Sequence, residues 1–331
     1  MNYQEVVICD RSNWGLLQIT GEDRLNYLHN QSTNDFNSLQ PGGGCETVFV
    51  TPTARTIDLA TTYVTEDAVL AIVAPNRRKY LLEWLDKFIF PFDRVEVTDV
   101  SSDYALLTLI GTDSDRILSE LGVNNLPELK PYNHQLISLD GTTVRLGVGS
   151  DLALPGYNII VPREQAAKIR DLITAQQVRE IGDREWEELR ILQGRPAPDK
   201  ELTEDYNPLE AGLWQTISFE KGCYIGQETI ARLNTYNGVK QKLWGVKFAD
   251  SDLQAMTEDS LAMGTPITLE DKKVGVLTSF AIANQKPFAL AYVRTKAGGV
   301  GLSVEIGGFS GELVDLPFLH HPKLADNQAS N

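Results

Sequence analysis

At Lys240 the hydrophobic pattern of the chain changes period, and this change constrains the fold more than any other feature. Before it, apolar runs of strand type alternate with stretches whose apolar residues recur at helical spacing. After it come short alternating runs at 243–248, 266–270, 273–279, 288–294 and 302–306, with glycines between them. Side chains alternate across a strand with period two, so this second region predicts an all-β terminal domain, a small barrel or a jelly-roll-like sandwich.

The first region predicts sheets covered by helices. Val6 to Thr20 reads as two strands joined by a turn at Asp10–Asn13, and Thr20-Gly-Glu-Asp23 has the form of a capping box that opens a helix. Leu39-Gln-Pro-Gly-Gly-Gly44 is a strong breaker and a candidate hinge. Strands are predicted over 46–64, 68–74, 95–100, 105–110, 135–139, 143–148 and 157–161. Helices are expected after Asn76, after Thr112, from about Arg163 to Gln177, and from Asp183. The last stops at Gly194-Arg-Pro-Ala-Pro198, where two prolines forbid continuation.

Composition excludes several function classes. The 331 residues are 42% hydrophobic and 23% charged, ordinary for a soluble globular chain. The formal net charge of −15 repels phosphate backbones, so no nucleic-acid partner is expected. The apolar run Val69 to Ala74 is far shorter than the ~20 residues of a membrane span. Neither that run nor the amino terminus predicts a membrane partner or a secretory signal. Cys9, Cys45 and Cys223 show no disulfide or zinc spacing, alone or with the four histidines. A reducing, cytoplasmic location and no stably bound metal are therefore expected.

Lys221-Gly-Cys-Tyr-Ile-Gly-Gln-Glu228 is the motif with the most chemistry in it. Gly222 and Gly226 would allow a tight turn that presents Cys223 and Tyr224, with Lys221 before and Gln227, Glu228 and Arg232 after. A nearby lysine and a following helix N-terminus would favour thiolate at Cys223. On the residues alone, a buried structural cysteine in a glycine turn is the simpler reading.

The stretch resembles the signature of YgfZ-like folate-binding proteins, relatives of the glycine-cleavage T-protein. Flanking segments agree in order: Thr20-Gly-Glu-Asp-Arg24, Glu188 to Pro196, Pro208-Leu-Glu-Ala-Gly-Leu213, Gly275 to Ser279, and Ala289 to Val293. The match spans most of the chain and is weakest over about 65–180. Glu201 to Leu213 and Ala231 to Gln241 look closest to cyanobacterial and plastid members.

The resemblance implies an α+β fold like the aminomethyltransferase cloverleaf, with two α/β (ferredoxin-like) domains and a C-terminal β-barrel. Its expected limits are 1–47 with 145–238 for a discontinuous folate-binding domain, 48–144 for an inserted α/β domain, 239–322 for the barrel, and 323–331 for a disordered tail. It implies tetrahydrofolate, or another folate, as cofactor. Trp14 and Trp186, otherwise ordinary core aromatics, fall where the family's folate-binding tryptophans lie. Arg232 and Lys221 are candidates for the folate's glutamate tail, or else solvated charges.

Asp58 lies where the transferases carry an acid, but Arg55 and Thr56 replace the neighbouring glycines and Leu59 the second acid. Leu192 replaces a glutamate used against the pterin ring. Asp58 alone is equally well read as a surface strand residue. These departures favour an accessory protein for iron–sulfur cluster assembly or repair, acting through Cys223 on client enzymes or assembly proteins, over a classical enzyme. The alternative is a folate-dependent one-carbon transferase of aminomethyltransferase or demethylase type.

Overall fold

The computed structural model describes residues 5–128, 130–249 and 255–320, so the expected disordered tail lies outside the described residues. The first third of the chain forms β1 (Val7–Asp10), β2 (Gly15–Thr20), α1 (Arg24–Gln31), β3 (Gly44–Val50), β4 (Thr56–Val64), β5 (Ala68–Val73), α2 (Arg78–Asp86) and β6 (Glu96–Asp99). There follow β7 (Tyr104–Ile110), α3 (Ser114–Glu120), β8 (His134–Leu139), β9 (Thr142–Val148), β10 (Gly156–Pro162), α4 (Ala166–Thr174), β11 (Arg179–Ile181), α5 (Asp183–Gln193) and α6 (Gln227–Thr235). The last elements are the strands β12 (Gln241–Phe248), β13 (Pro266–Leu269), β14 (Lys272–Ala283), β15 (Lys286–Arg294), β16 (Ser303–Ile306) and β17 (Phe309–Val314), with a 3₁₀ turn over Thr295–Ala297 between β15 and β16.

Three sheets result. One has the order β11-β1-β7-β10-β9-β8, one the order β3-β4-β5-β2-β6, and β12-β15-β14-β13-β16-β17 close into a barrel. Between these strands pairing is antiparallel except where β1 meets β11. The barrel satisfies both edges of every strand and settles the choice left open between barrel and sandwich. The short strands β11 and β17 carry too little pattern to stand out in the sequence.

The chain crosses from the first sheet to the second between β1 and β2, and back between β6 and β7. The limits expected at 48 and 144 fall inside β3 and β9 instead. The reason is pairing: β2 is central, hydrogen-bonded to β5 on one side and β6 on the other, so it cannot belong to the sheet of β1. Likewise β7 lies between β1 and β10.

Each sheet buries one face under helices. Leu107, Leu109 and Ile159 pack with Ile117, Ile169 and Ile173 of α3 and α4; Leu17, Ile19 and Val73 pack with Leu28, Leu81 and Leu85 of α1 and α2. The opposite faces meet through Leu16, Tyr63 and Ile72 on one side and Leu106 and Ile160 on the other. All nine residues of β4 are buried, as expected for a strand covered on both faces. The Tyr63 ring passes so close to Gly147 that a Cβ there would lie 2.5 Å from it.

Local signals erred where tertiary partners competed. Asp23 makes no side-chain cap on α1, because its carboxylate accepts the Arg94 N–H at 3.0 Å. Asn76 does not cap α2; its amide donates to Asp199 at 2.6 Å. The apolar stretch at 212–219 is not a strand but holds a 3₁₀ turn over Trp214–Thr216, where the Thr216 hydroxyl donates to the Leu213 carbonyl.

Candidate functional site

The signature is a turn riveted to the end of α1. Lys221 is buried, and its Nζ donates to the Ser32 carbonyl at 2.7 Å, to the Asn34 carbonyl at 2.6 Å, and to that of His29. Carbonyls at a helix C-terminus lack partners within the helix, so an ammonium fits there. The same Nζ lies 4.5 Å from the Tyr224 ring centroid. The Ile225 N–H donates to Asn30 at 3.0 Å. Lys221 is thus committed to α1, and the expected pairing with the neighbouring thiol or with a ligand's carboxylates is replaced by a structural role.

Only one of the two glycines is required. Gly226 has φ +82°, and a Cβ there would lie 3.0 Å from the Thr51 carbonyl oxygen and from the Val50 side chain. A Cβ at Gly222 would meet nothing nearer than 3.6 Å, the His29 Nε2 atom. Tyr224 is buried with Ala54, Leu209, Ile217 and Ile230, which anchors the turn from below.

Cys223 is exposed, so the simpler reading of a buried structural cysteine does not hold. Cys9 and Cys45 are buried, and burial pushes each thiol up to about 12. Gln227 begins α6, with Glu228 and Arg232 exposed on it.

Trp14 and Trp186 do come together, with ring centroids 6.1 Å apart and planes at 84°. Between them sits a residue that sequence reasoning missed. The Arg11 guanidinium carbon lies 3.8 Å from the Trp14 centroid and 4.1 Å from that of Trp186. The indole faces expected to stack a ligand ring are therefore in contact with a protein cation.

Arg11 is part of a buried ionic network at the junction of the two sheets. Its Nη1 donates to Asp151 at 2.7 Å and to Thr108 at 3.2 Å. Asp151 also accepts from Thr61 at 2.7 Å and Asn158 at 2.9 Å. Burial alone would raise the Asp151 carboxyl, but the Arg11 and Arg195 charges outweigh it and hold it below the usual carboxylate range. Arg195 pairs with Glu46 at 2.7 Å and donates to the Leu59 carbonyl. Isolated arginines and acids far apart in sequence carry no local signal of this network.

Asp58 is 1% exposed, so the surface-strand reading is wrong. Its two oxygens accept the backbone N–H groups of Leu59 and Ala74, each at 2.9 Å. Burial pushes its carboxyl up to about 7, against the lowering effect of those N–H groups and of Arg195. Leu192 lines a cavity of about 350 Å³ between α5, the β11 end of the first sheet and the β14–β15 hairpin. Val7, Ile110, Ile181 and Leu189 line this cavity and also pack in the cluster that holds Trp186 and Trp14.

Comparison with known proteins agrees with this architecture. The family model of the GCVT N-terminal domain matches residues 2–221. The "Putative transferase At1g60990, chloroplastic" of Arabidopsis thaliana is 41% identical over 330 residues, covering 98% of this chain and 74% of that protein. An aminomethyltransferase of Listeria monocytogenes is 26% identical over 327 residues, covering 95% of this chain and 86% of that one. The crystal structure of the glycine cleavage system aminomethyltransferase T from Bartonella henselae superposes with a TM-score of 0.81. It covers 97% of this chain and 88% of that chain at 18% identity, a likeness of fold.

Proposed function

The chain belongs to the GCVT N-terminal domain family, and from that membership we propose that it is a tetrahydrofolate-binding protein of YgfZ-like type that acts through Cys223. The folate-binding, GCVT-type transferase family supplies the ligand class. What supports such a ligand is the cavity of about 350 Å³ beside Leu192, partly polar through Glu5, Arg179, Glu185 and Glu188, whose Val7, Ile110, Ile181 and Leu189 pack in the cluster of Trp14 and Trp186. Trp14 and Trp186, packed behind that cavity with Arg11 against their faces, would border the folate rather than stack on it. Tetrahydrofolate supplies nitrogens able to carry a one-carbon unit.

The observation that carries the role of Cys223 is its exposure on a turn held rigid by Lys221, Tyr224 and Gly226. A thiol so placed is offered to a partner molecule rather than to the core. Iron–sulfur client enzymes or their assembly proteins are the partners we assign, with the cluster as cargo. One cysteine cannot hold a cluster alone, since about four ligands are usual, so the remaining ligands come from the client. A cytoplasmic location suits three unpaired thiols. The test is iron–sulfur enzyme activity in a deletion strain carrying wild-type or Cys223→Ala protein; full rescue by the variant would sink the proposal.

One observation favours the second reading, a folate-dependent one-carbon transferase. Asp58 is a buried carboxyl pushed up to about 7, a value suited to proton transfer. Turnover of a methylamine-type donor to methylenetetrahydrofolate, abolished in Asp58→Asn, would establish it over the accessory role.

A further inference from the structure

The two sheets pack through Leu70 and Ile160, and another cavity, of about 370 Å³, opens beside that contact. On the first sheet, register places Leu136, Arg145 and Ile160 side by side across β8, β9 and β10, and all three line the cavity. On the second sheet, Gln18 of β2 is paired with Leu70 of β5, and both line it. Asp67, in the turn between β4 and β5, and Tyr104, at the start of β7, line it as well. The cavity shares no lining residue with the one beside Leu192.

Arg145 is a half-buried cation with no counter-charge in contact. Its one hydrogen bond among the described residues runs from Nη1 to the His134 Nδ1 atom at 2.8 Å, and it forms no ion pair among them. Nε and the second Nη keep donors to spare, and a guanidinium grips a carboxylate through such a pair. Burial draws the Arg145 pKa down from its ordinary value, opposed by Tyr104 and by Asp67. Asp67 is exposed and accepts the Thr65 hydroxyl at 2.9 Å. Opposite charges thus face one cavity, close enough to feel each other and too far apart to pair.

That separation selects the ligand. A plain carboxylate on Arg145 would meet the repulsion of Asp67, and a plain amine that of Arg145. An α-amino acid carries both charges on one carbon and answers both. Much of the remaining lining is apolar: Leu70 and Ile160 are buried, while Tyr104 and Leu136 keep 40% and 60% of their surface exposed. Exposed apolar groups gathered on one cavity suit an apolar side chain. We propose that this cavity binds a free α-amino acid with an apolar side chain, its carboxylate on Arg145 and its ammonium toward Asp67. A residue inside a peptide lacks both charges and is refused.

The test is titration calorimetry on the wild-type chain with leucine, isoleucine, valine, methionine, phenylalanine and tryptophan. At least one should bind. Loss of either charge from that ligand, as its amide or as its des-amino acid, should weaken binding about tenfold or more. Binding by none of the six overturns the proposal, and so does equal affinity for the amino acid and either altered form. In Asp67→Asn, a change at an exposed position, the preference over the des-amino acid should vanish while that over the amide stays. Arg145→Gln keeps a donor for His134 and should abolish the preference over the amide. Either preference retained in its folded variant overturns the assignment. Should Arg145→Gln fail to fold, Asp67→Asn and the wild-type comparison decide.

Discussion

The Lys221 ammonium donates to the Ser32 carbonyl at 2.7 Å across 189 positions of chain. With the carbonyls of Asn34 and His29, this contact makes Lys221 the rivet between α1 and the turn that exposes Cys223. Lys221→Met keeps the apolar stem and strips three buried acceptors of their donor. Each orphaned group costs about 1–3 kcal/mol, offset in part by water entry. Urea denaturation should show a loss of about 3 kcal/mol; an unchanged midpoint would mean that the rivet bears no load.

The two signature glycines should part company. Gly226→Ala forces a side chain into a left-handed conformation and against Thr51 and Val50, and it should lower the melting temperature by several degrees. Gly222→Ala meets no close neighbour and should melt with the wild type. Equal effects of the two changes would contradict the turn geometry.

Thiol reactivity should single out Cys223. It is exposed, while Cys9 and Cys45 are buried with thiols pushed up to about 12. Ellman's reagent should titrate one thiol in the native protein and three in guanidinium, and Cys223→Ala should abolish the native signal. A second fast-reacting native thiol would refute the burial of the other two.

Acid should destabilise the junction of the two sheets through His134. Its Nε2 donates to the Val64 carbonyl at 2.8 Å and its Nδ1 accepts from Arg145 at 2.8 Å, so the ring is held neutral. Burial and the Arg145 charge draw its pKa from 6.5 down to about 4. The unfolded chain therefore binds the extra proton first, and the stabilisation is complete above about pH 6.5 and lost as pH falls toward 4. His134→Gln should show a flatter stability profile over that window when denatured at stepped pH.

Asp58 carries the opposite sign. Its folded pKa of about 7 exceeds the unfolded 3.8, so its contribution is greatest below about pH 4 and declines as pH rises through 7. Asp58→Asn removes this slope. If the variant and the wild type show parallel profiles from pH 4 to 7, the carboxyl is not held protonated.

Some of this was legible in order along the chain. The period change at Lys240 marks the barrel because side-chain alternation is a local property of strands, and Gly194-Arg-Pro-Ala-Pro198 ends α5 because proline and the left-handed Gly194 act within one turn. The Lys221–Glu228 stretch stood out as a motif, and the wider family it pointed to is the one whose model matches residues 2–221. Cap residues misled wherever a distant partner offered a stronger contact, as Arg94 does for Asp23 and Asp199 for Asn76.

By itself the sequence determined most element types, an all-β terminal region, a family resemblance, and a cysteine set in a glycine turn; that the terminal strands close into a barrel came from their pairing. The tertiary structure alone decided that Cys223 faces out while Lys221 faces in, that Asp58 is buried, and that β2 and β7 sit in different sheets from those expected. It alone placed Arg11 between Trp14 and Trp186 with Asp151 behind it. Periodicity and capping act over a few residues, so they are written locally. Burial, ion pairing and orphaned donors depend on groups 140 positions apart, as in Arg11 and Asp151, and exist only once the chain has brought them together.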